Sequence, residues 1–182
     1  SKINKFSYLL GLRLENTRTT LDQPTSGDFK KKNLTGLFPT VNLNYEITDS
    51  ESLSLGYNRR LRRPRGFMLN PFPSRSSLTN VFQGNPDLDP TYSDKFELGY
   101  LNRFGKFTLS TAVYYEHSTN IMSFVSIETG ETVIIDSQVF PVIQRGPVNL
   151  ATDKRSGFEF NLNYSPTRKW RVNTDFNLYK LK

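Results

Sequence analysis

Cysteine is absent from this chain of 182 residues. Its absence excludes disulfides, thiolate metal sites and a cysteine nucleophile. Histidine occurs once, as His117, and a single histidine cannot supply a multi-histidine metal cluster. No apolar run approaches the roughly 18 residues that a transmembrane helix requires. We therefore expect no cofactor and no metal site.

Acidic residues are outnumbered, 17 against 24 basic ones, which gives a formal charge of +7. This balance favours an anionic partner, either nucleic acid or the phosphates of an outer membrane leaflet. The aromatic side chains do not interleave with the arginines as a base-stacking surface requires, so we expect no nucleic-acid partner. The chain starts without a signal peptide and stops in mid-pattern, which favours a segment of a longer protein.

Alternation of apolar and polar side chains is the dominant pattern, and it predicts β-strands. Val41, Leu43 and Tyr45 share one face of such a segment. Asn42 and Asn44 share the other face. No segment shows a helical period, so we expect almost no helix. The pattern predicts about seven long strands, at residues 6–14, 37–47, 52–61, 92–100, 107–115, 158–164 and 170–178.

The predicted connections alternate between short and long. Short turns are expected at residues 49–50, 102–106 and 165–169, and long loops at residues 20–33, 62–90 and 121–153. Within the last loop, the sequence predicts a strand pair that turns around Thr129 and Gly130. Pro141 and Pro147 are assigned to irregular chain, because proline cannot sit inside a central ladder.

Three features favour a membrane barrel over a soluble sandwich. Alternation persists for about ten residues, the length that crosses hydrocarbon when tilted. Loops are short at one end and long at the other, as in outer-membrane barrels. Aromatic residues cluster near the short turns, which predicts an interfacial belt made of Tyr45, Tyr100, Phe107, Tyr164 and Trp170. The fold class is therefore predicted as all-β, an antiparallel up-and-down transmembrane β-barrel segment with short periplasmic turns and long extracellular loops.

Three stretches carry a family resemblance: "GNPDLDPTYSDKFELGY", "NRFGKFTLSTAVYYEHSTNIMSFV" and "RSGFEFNLNYSPTRKWRVNTDFNLYK". They resemble the barrels of TonB-dependent outer-membrane receptors, with the Bacteroidetes-type outer-membrane β-barrel group as the nearest match. The resemblance implies a location in the bacterial outer membrane and a barrel of 22 strands closed around a plug. Residues 1–182 would form part of one transmembrane β-barrel domain. No plug, energy-coupling box or terminal aromatic of a last strand is seen, so either those parts lie outside this segment or the protein is a relative with a different use.

The resemblance also implies a function and a set of partners. The function is uptake of a scarce ligand such as an iron chelate, a glycan or a peptide. The partners are outer-membrane lipid and lipopolysaccharide, the remaining strands and plug, an energy-coupling periplasmic protein and a surface lipoprotein. Two alternatives stay open: a structural barrel subunit of an outer-membrane complex, and a soluble β-rich binding module.

The stretch "NPDLDP" is predicted to lock the strand that follows it in one register. A slip of one residue would turn Phe96 into the lumen and Glu97 into lipid. Prolines restrict the backbone, and aspartates form local side-chain turns. The predicted lock consists of Pro86, Asp87, Asp89 and Pro90. A ligand contact by either aspartate is the alternative interpretation.

Two further groups in the long loops are candidate contacts. The stretch "NRRLRRPR" supplies arginines that suit lipopolysaccharide phosphates or another anion, namely Arg59, Arg60, Arg62, Arg63 and Arg65. The stretch "FKKKN" lies in another long loop. A second group is predicted to pack the loop or to contact a ligand or partner, namely Phe67, Met68, Phe72 and Phe82.

Catalysis has little support in the sequence. A grouping of His117 with Ser118 and Asp94 is conceivable, but no nucleophile motif accompanies it. We therefore do not expect the protein to be an enzyme.

Overall fold

The computed structural model describes residues 2–23, 28–167 and 169–182, and most of them lie in strands. The elements in chain order are β1 (Lys2–Ile3), β2 (Phe6–Gln23), β3 (Asp28–Glu46), β4 (Glu51–Arg62), α1 (Gly66–Leu69), β5 (Ser74–Arg75), β6 (Asn80–Phe82), β7 (Thr91–Phe104), β8 (Phe107–Ile135), β9 (Gln138–Thr167) and β10 (Trp170–Leu181). Across these residues, no helix has the length and hydropathy to traverse a bilayer.

The strand count exceeds the prediction. All seven predicted long strands are present, as β2, β3, β4, β7, β8, β9 and β10. The described residues also form β1, β5 and β6, which makes ten strands rather than seven. These three contain only two or three residues each, and so short a stretch cannot show a period of two.

One sheet contains all ten strands, in the order β1-β2-β3-β4-β7-β8-β9-β6-β5, with β10 also paired to β9. The long strands are antiparallel to their neighbours, and consecutive long strands lie side by side. This is the predicted up-and-down meander. Within the described part of the chain the sheet does not close into a barrel, because β10 pairs only with β9. All twelve residues of β10 are exposed.

The strand register sorts side chains onto two unlike faces. One continuous row across six strands is apolar, and it joins Leu43, Leu55, Leu98, Val113, Phe158 and Leu178. The row displaced by one residue is mostly small or polar, and it joins Asn42, Gly56, Glu97, Tyr114 and Gly157. Leu55, Leu98 and Val113 are each 49% exposed, so no protein layer covers the apolar face among the described residues. We call it the outward face.

The outward face is apolar over a length that fits a membrane. On β7 it carries Phe96, Leu98, Tyr100 and Phe104, with Asn102 as the polar residue among them near the short turn, a span of nine residues along the strand. A tilted strand needs about 9–11 residues to cross the hydrocarbon core. The predicted length of alternation is therefore confirmed.

The predicted loop at residues 20–33 is largely wrong. Strands β2 and β3 continue as a paired hairpin up to Gln23 and Asp28. Both faces of this extension are rich in polar residues, so no apolar alternation marks it. Residues 24–27 lie outside the described residues.

The predicted long loop at residues 121–153 is also mostly strand. Strands β8 and β9 run through it as one hairpin and turn at Asp136 and Ser137, which have φ values of 50° and 67°. The turn predicted at Thr129 and Gly130 is wrong, because a register irregularity lies there. Gly130 has a φ of +81°, as a glycine in a bulge often does.

The assignment of two prolines to irregular chain is wrong as well. Pro141 pairs with Thr132, and Pro147 pairs with Phe124. At these positions β9 has a neighbour on one side only. Strand β6 pairs with it at residues 143–145 and β10 from residue 155 onwards. Proline is tolerated on such an edge, where its missing N–H disrupts no second ladder.

The short turns fall where they are predicted. A bend at residues 47–50 joins β3 to β4, and Gly105 and Lys106 join β7 to β8. Residue 168, in the predicted turn at 165–169, lies outside the described residues.

Candidate functional site

The loop between β4 and β7 fills a gap in the sheet at the long-loop end. Strand β3 pairs with β4 only from Thr40 to Glu46. Beyond that point β3 pairs with β2 alone, while β4 continues beside β7. The intervening residues 63–90 contain α1, β5 and β6 and bury Met68 and Val81.

The centre of this loop is the segment Pro86–Pro90 predicted as a register lock, which we call the proline–aspartate segment. Its Leu88 is 1% exposed, and Asp87 and Asp89 flank it. The Lys32 ammonium donates to the Leu88 carbonyl at 2.8 Å and to Asp89 Oδ1 at 2.7 Å. Lys30 donates to Asp87. Both lysines belong to the "FKKKN" stretch on β3, so the structure directs that positive charge at the chain's own loop.

Asn149 on β9 holds the opposite side of the proline–aspartate segment. Its Oδ1 accepts from the Asp89 N–H at 2.7 Å, and its Nδ2 donates to the Asp89 carbonyl at 3.0 Å. The same Nδ2 donates to the Asn120 carbonyl at 2.8 Å. Thr91 Oγ1 donates to this carbonyl as well, at 3.0 Å. The segment therefore bridges the β2–β3 hairpin and the β8–β9 hairpin.

Electrostatics support this bridge. The Lys30 ammonium, by its hydrogen bond and its charge, holds the pKa of the Asp87 carboxyl below its ordinary value. Since Asp87 is exposed to water, the pair is worth little on its own. Leu88 and the bonds that Lys32 and Asn149 make to backbone groups carry more of the contact.

A small groove of about 70 Å³ lies beside the proline–aspartate segment. It is mainly apolar, with Lys30, Lys32 and Arg63 at its margins. Its apolar walls are Leu21, Leu34, Pro64, Leu69, Leu88 and Pro90. Its three basic side chains are each paired with a carboxylate of the chain, so the groove is chiefly apolar in character.

The five predicted arginines do not form one cluster. Alternation along β4 places Arg59 on the outward face and Arg60 on the opposite face. Arg59 lies 3.9 Å from Asp94 and covers the ring of Tyr92. Arg63 forms an ion pair with Glu15. The others make no ion pair within the described residues, namely Arg60, Arg62 and Arg65.

The predicted aromatic loop group is partly packed inside the protein. The Phe82 ring lies 6.0 Å from that of Phe67 and 6.1 Å from that of Phe124 on β8. Met68 is buried, whereas Phe72 is 47% exposed. Phe82 thus packs on the β8–β9 hairpin through Phe124, whereas Phe67, at 52% exposure, and Phe72 both remain at the surface.

The face of the sheet opposite the outward face, which we call the inner face, carries charged side chains of its own. Lys95 donates to Glu97 at 2.6 Å. Further along, Arg155 Nη2 lies 3.8 Å from Asp153 Oδ2. Asp153 Oδ1 and Arg155 Nε are buried without a hydrogen-bond partner among the described residues. In the same part of the chain, no group of three or more potential metal ligands comes together.

The predicted aromatic belt lies at the short-turn end. The Phe107 ring stacks on Tyr164 at 4.3 Å and on Phe104 at 5.4 Å. Tyr100 donates to Glu51 at 3.2 Å. Trp170 is 70% exposed, and Tyr45 is also exposed.

The conceivable catalytic grouping is not assembled. His117 and Ser118 are consecutive residues of β8, so their side chains point to opposite faces. Ser118 instead shares a hydrogen bond with Ser93 at 2.7 Å.

Sequence reasoning missed Lys30, Lys32 and Asn149 as holders of the loop. The charge of the lysines is visible in the sequence, but pairing them with aspartates 57 residues away requires the fold. A lone asparagine such as Asn149 gives no signal.

Comparison with known proteins identifies the family. The outer membrane protein beta-barrel family matches residues 1–182. The chain belongs to this family. Its place is therefore the bacterial outer membrane, and its exposed apolar face is the lipid-facing side of a barrel wall. No curated protein matches the chain.

Solved transporters and receptors share this fold at low identity. The FrpB iron transporter of Neisseria meningitidis matches with a TM-score of 0.64 and 13% identity, over 100% of this chain and 24% of its own. The copper transporter OprC matches at 0.67 and 17%, over 100% and 27%. The siderophore receptor PirA of Pseudomonas aeruginosa matches at 0.68 and 15%, over 97% and 40%. The resemblance to receptor barrels is thus confirmed for the fold, and the chain spans under half of each of these proteins.

Proposed function

We propose that residues 1–182 are one part of a TonB-dependent receptor barrel that takes up a scarce ligand across the outer membrane. The observation that carries this proposal is the unclosed sheet. Its outward face is apolar, and β10 presents an unpaired edge that further strands would complete. Full closure is the usual solution for such an edge in a membrane. The remaining strands and a plug are accordingly assigned to other parts of the same protein.

The ligand class is proposed from the similar solved proteins, which are named for iron, copper and siderophores. A metal chelate is therefore favoured over a glycan or a peptide. The basic side chains of the groove do not decide the charge of that ligand, because Lys30, Lys32 and Arg63 are each paired with a carboxylate of the chain. Energy would come from a periplasmic coupling protein, and the role involves no enzymatic step.

A structural subunit of an outer-membrane complex is the second candidate. The firm bridge between the two hairpins favours it, because a fixed loop suits a scaffold as well as a receptor. A soluble binding module is disfavoured, since the apolar row from Leu43 to Leu178 would then face water.

Uptake by cells that make the complete protein tests the proposal. We expect a radiolabelled ferric siderophore to accumulate in energised cells and to stop accumulating when a protonophore is added. A labelled oligosaccharide and a labelled peptide serve as comparison ligands. If none of the three accumulates and the protein purifies in a fixed complex, the scaffold role is correct instead.

A further inference from the structure

Strand β8 has a free edge above the level at which β7 begins. Strand β7 pairs with β8 only as far as Tyr92 and Thr119. The chain before β7 does not continue along β8, because the proline–aspartate segment makes its contacts with Lys32 and Asn149 instead. From Ile121 to its tip, β8 therefore pairs with β9 alone among the described residues.

The pairing of β9 shows which main-chain groups of β8 face this edge. The Ile143 N–H donates to the loop before β7 at 2.8 Å, and the Arg145 carbonyl accepts from that loop at 3.0 Å. Both groups point away from β8, so their partners Glu128 and Ser126 turn their own N–H and carbonyl groups away from β9. Pro147 follows the same alternation, since it has no N–H to direct at β8. Three alternate residues thus present their main-chain groups to the free edge, namely Phe124, Ser126 and Glu128.

We call residues 124–128 the open edge. They lie in a regular stretch of pairing that runs from Met122 to Glu128 and has a register shift at each end. Phe124, Ser126 and Glu128 are exposed, and their outward main-chain groups have no hydrogen-bond partner among the described residues. A row of N–H and carbonyl groups at strand spacing is complementary to one kind of group, another extended backbone.

Other free edges at the long-loop end are protected against strand pairing. Where β3 separates from β4, its edge carries the three lysines of "FKKKN", and lysines deter pairing. Strand β9 has Pro141 and Pro147, and β6 covers residues 143–145. The β8 stretch "MSFVSI", residues 122–127, contains no charge, proline or glycine. Such a segment on a free edge is a template for a further strand.

Position and charge indicate which strand fits. The open edge lies roughly 20–35 Å beyond the lipid-facing rows, at the end opposite the periplasmic turns. Glu128 is exposed and has no ion pair among the described residues. Arg145, on the same face, lies over the Phe124 ring instead. A basic residue opposite Glu128, with β-branched residues beside Val125 and Ile127, would complement this edge.

We propose that the open edge binds an extended segment of a partner protein outside the cell, which adds to β8 as an antiparallel strand. The segment is β-branched and carries a lysine or arginine opposite Glu128. Main-chain hydrogen bonds supply the affinity, and alternate side chains supply the specificity. A second copy in the same membrane would present the same edge running in the same direction, whereas two like edges pair in opposite directions. This surface goes beyond the proposed uptake and does not depend on it.

Binding of a peptide to the complete protein in detergent tests the proposal. The probe is a fluorescent form of acetyl-KVTVTVT-amide, whose lysine lies opposite Glu128 in the antiparallel register, and fluorescence anisotropy measures its binding. N-methylation of its first two threonines removes N–H groups that face β8 and should abolish binding. N-methylation of its first two valines, whose N–H groups face away from β8, is the matched control and should leave binding in place. Equal behaviour of the two methylated probes would overturn the proposal.

Two variants of the protein locate the site. Ser126→Pro removes an N–H from the open edge without breaking a bond to β9, and it should weaken binding about tenfold or more. Ser126→Thr keeps the N–H and should bind like the parent protein. Glu128→Gln should weaken binding about two- to fivefold. It should not affect a probe that carries glutamine in place of lysine, and equal losses for both probes would contradict the charge pair.

Hydrogen exchange of the complete protein gives an independent readout. Without the probe, the amides of Phe124, Ser126 and Glu128 should exchange fast, while those of Val125 and Ile127 should be protected. The probe should slow the first three. Protection of all five without the probe would show that another part of the protein covers the edge, which overturns the proposal.

Two other results would also overturn it. One is a probe that does not bind at millimolar concentration, or that binds Ser126→Pro as well as the parent protein. The other is self-association that Ser126→Pro abolishes, which would make a second copy the occupant. No arm measures uptake, so this site and the proposed function fail independently.

Discussion

The membrane-level half of the sheet and its long-loop half are built from the same strands and held by different forces. At membrane level, β3, β4, β7, β8 and β9 each pair with a neighbour on both sides, and the outward rows are apolar. Beyond that level, β3 and β4 separate, and the gap is bridged by the proline–aspartate segment with Leu88, two lysines and Asn149. The membrane-level half (the lower half) is thus stabilised mainly by the lipid around its apolar face. The long-loop half (the upper half) is stabilised by a few specific contacts.

An arginine on the outward face should have the largest effect. Leu98→Arg places a charge in hydrocarbon and should cost about 2–4 kcal/mol of folding free energy in a bilayer. The measurement is denaturant unfolding of the complete protein in lipid vesicles. Ser54→Arg is the matched control, because Ser54 lies on the inner face. Equal losses for both variants would contradict the assignment of the two faces.

Removal of the buried loop leucine should act only on the upper half. Leu88→Ala should weaken loop docking by about 2–5 kcal/mol, the usual cost of emptying a buried leucine site. Limited proteolysis within residues 63–90 measures the docking, and global unfolding in lipid should stay unchanged. Leu78→Ala, at an exposed position of the same loop, should not alter the proteolysis rate. If global unfolding shifted as well, the two halves would not be independent.

The two lysines that contact the loop should differ in effect. Lys32→Gln removes bonds to the Leu88 carbonyl and to Asp89 and should weaken docking by about 1–3 kcal/mol. Lys30→Gln removes one fully exposed pair and should have a much smaller effect than Lys32→Gln. Hydrogen exchange of residues 84–90 reports both. An equal or reversed order would show that the Asp87 pair, and not the backbone contact, fixes the segment.

Acid should loosen the loop slightly. The folded-state pKa of Asp87 is lowered by Lys30. Its contribution is therefore fully present above the ordinary carboxyl pKa and is lost as the pH falls through the lowered folded value. The proteolysis rate within residues 63–90 should rise over that interval, and the rise should be smaller in Asp87→Asn. A pH response that is identical in the variant would assign the effect to another carboxyl group.

Reversal of one charge in the Lys154–Lys182 pair across β9 and β10 should give the smallest effect, because the backbones of these two residues exchange both hydrogen bonds. Lys182→Glu creates an opposite-charge pair with Lys154 and should stabilise the β9–β10 pairing by about 0.2–1 kcal/mol in detergent without lipid. The unfolding midpoint in urea measures it. Lys106→Glu, in the opposite short turn, is the control and should leave the midpoint unchanged. A destabilised Lys182→Glu protein would argue against close approach of these two side chains.

The lower half could be predicted from the sequence because its environment selects residues at every second position. The alternation of Leu43, Leu98 and Leu162 with asparagine or glutamate predicts where the strands lie and which side chains share a face. The hairpin extensions escaped notice because both of their faces meet water, so β2 and β3 continue through residues such as Thr19 and Lys31 without an apolar stripe. There, strand pairing is fixed by backbone hydrogen bonds, which leave no periodic mark.

The candidate site was only half predictable. The rigidity of "NPDLDP" follows from local turn chemistry, and the segment lies where the register of β7 begins. Its partners come from β3 and β9, and no local rule links Lys32 or Asn149 to it. The Lys154–Lys182 pair could not be predicted from the sequence either, because these residues become neighbours only through the register of β9 and β10.

The length of the β8–β9 hairpin determines which part of the protein an extracellular molecule contacts first. From His117 to its tip at Asp136 and Ser137, the arm extends 19 residues beyond the lipid-facing rows, or about 60 Å at the rise of a strand. Near that tip, Ile134 and Val139 pair and are 74% and 65% exposed. A large molecule approaching from outside would therefore contact the exposed apolar tip of this hairpin well before it reached the rest of the barrel.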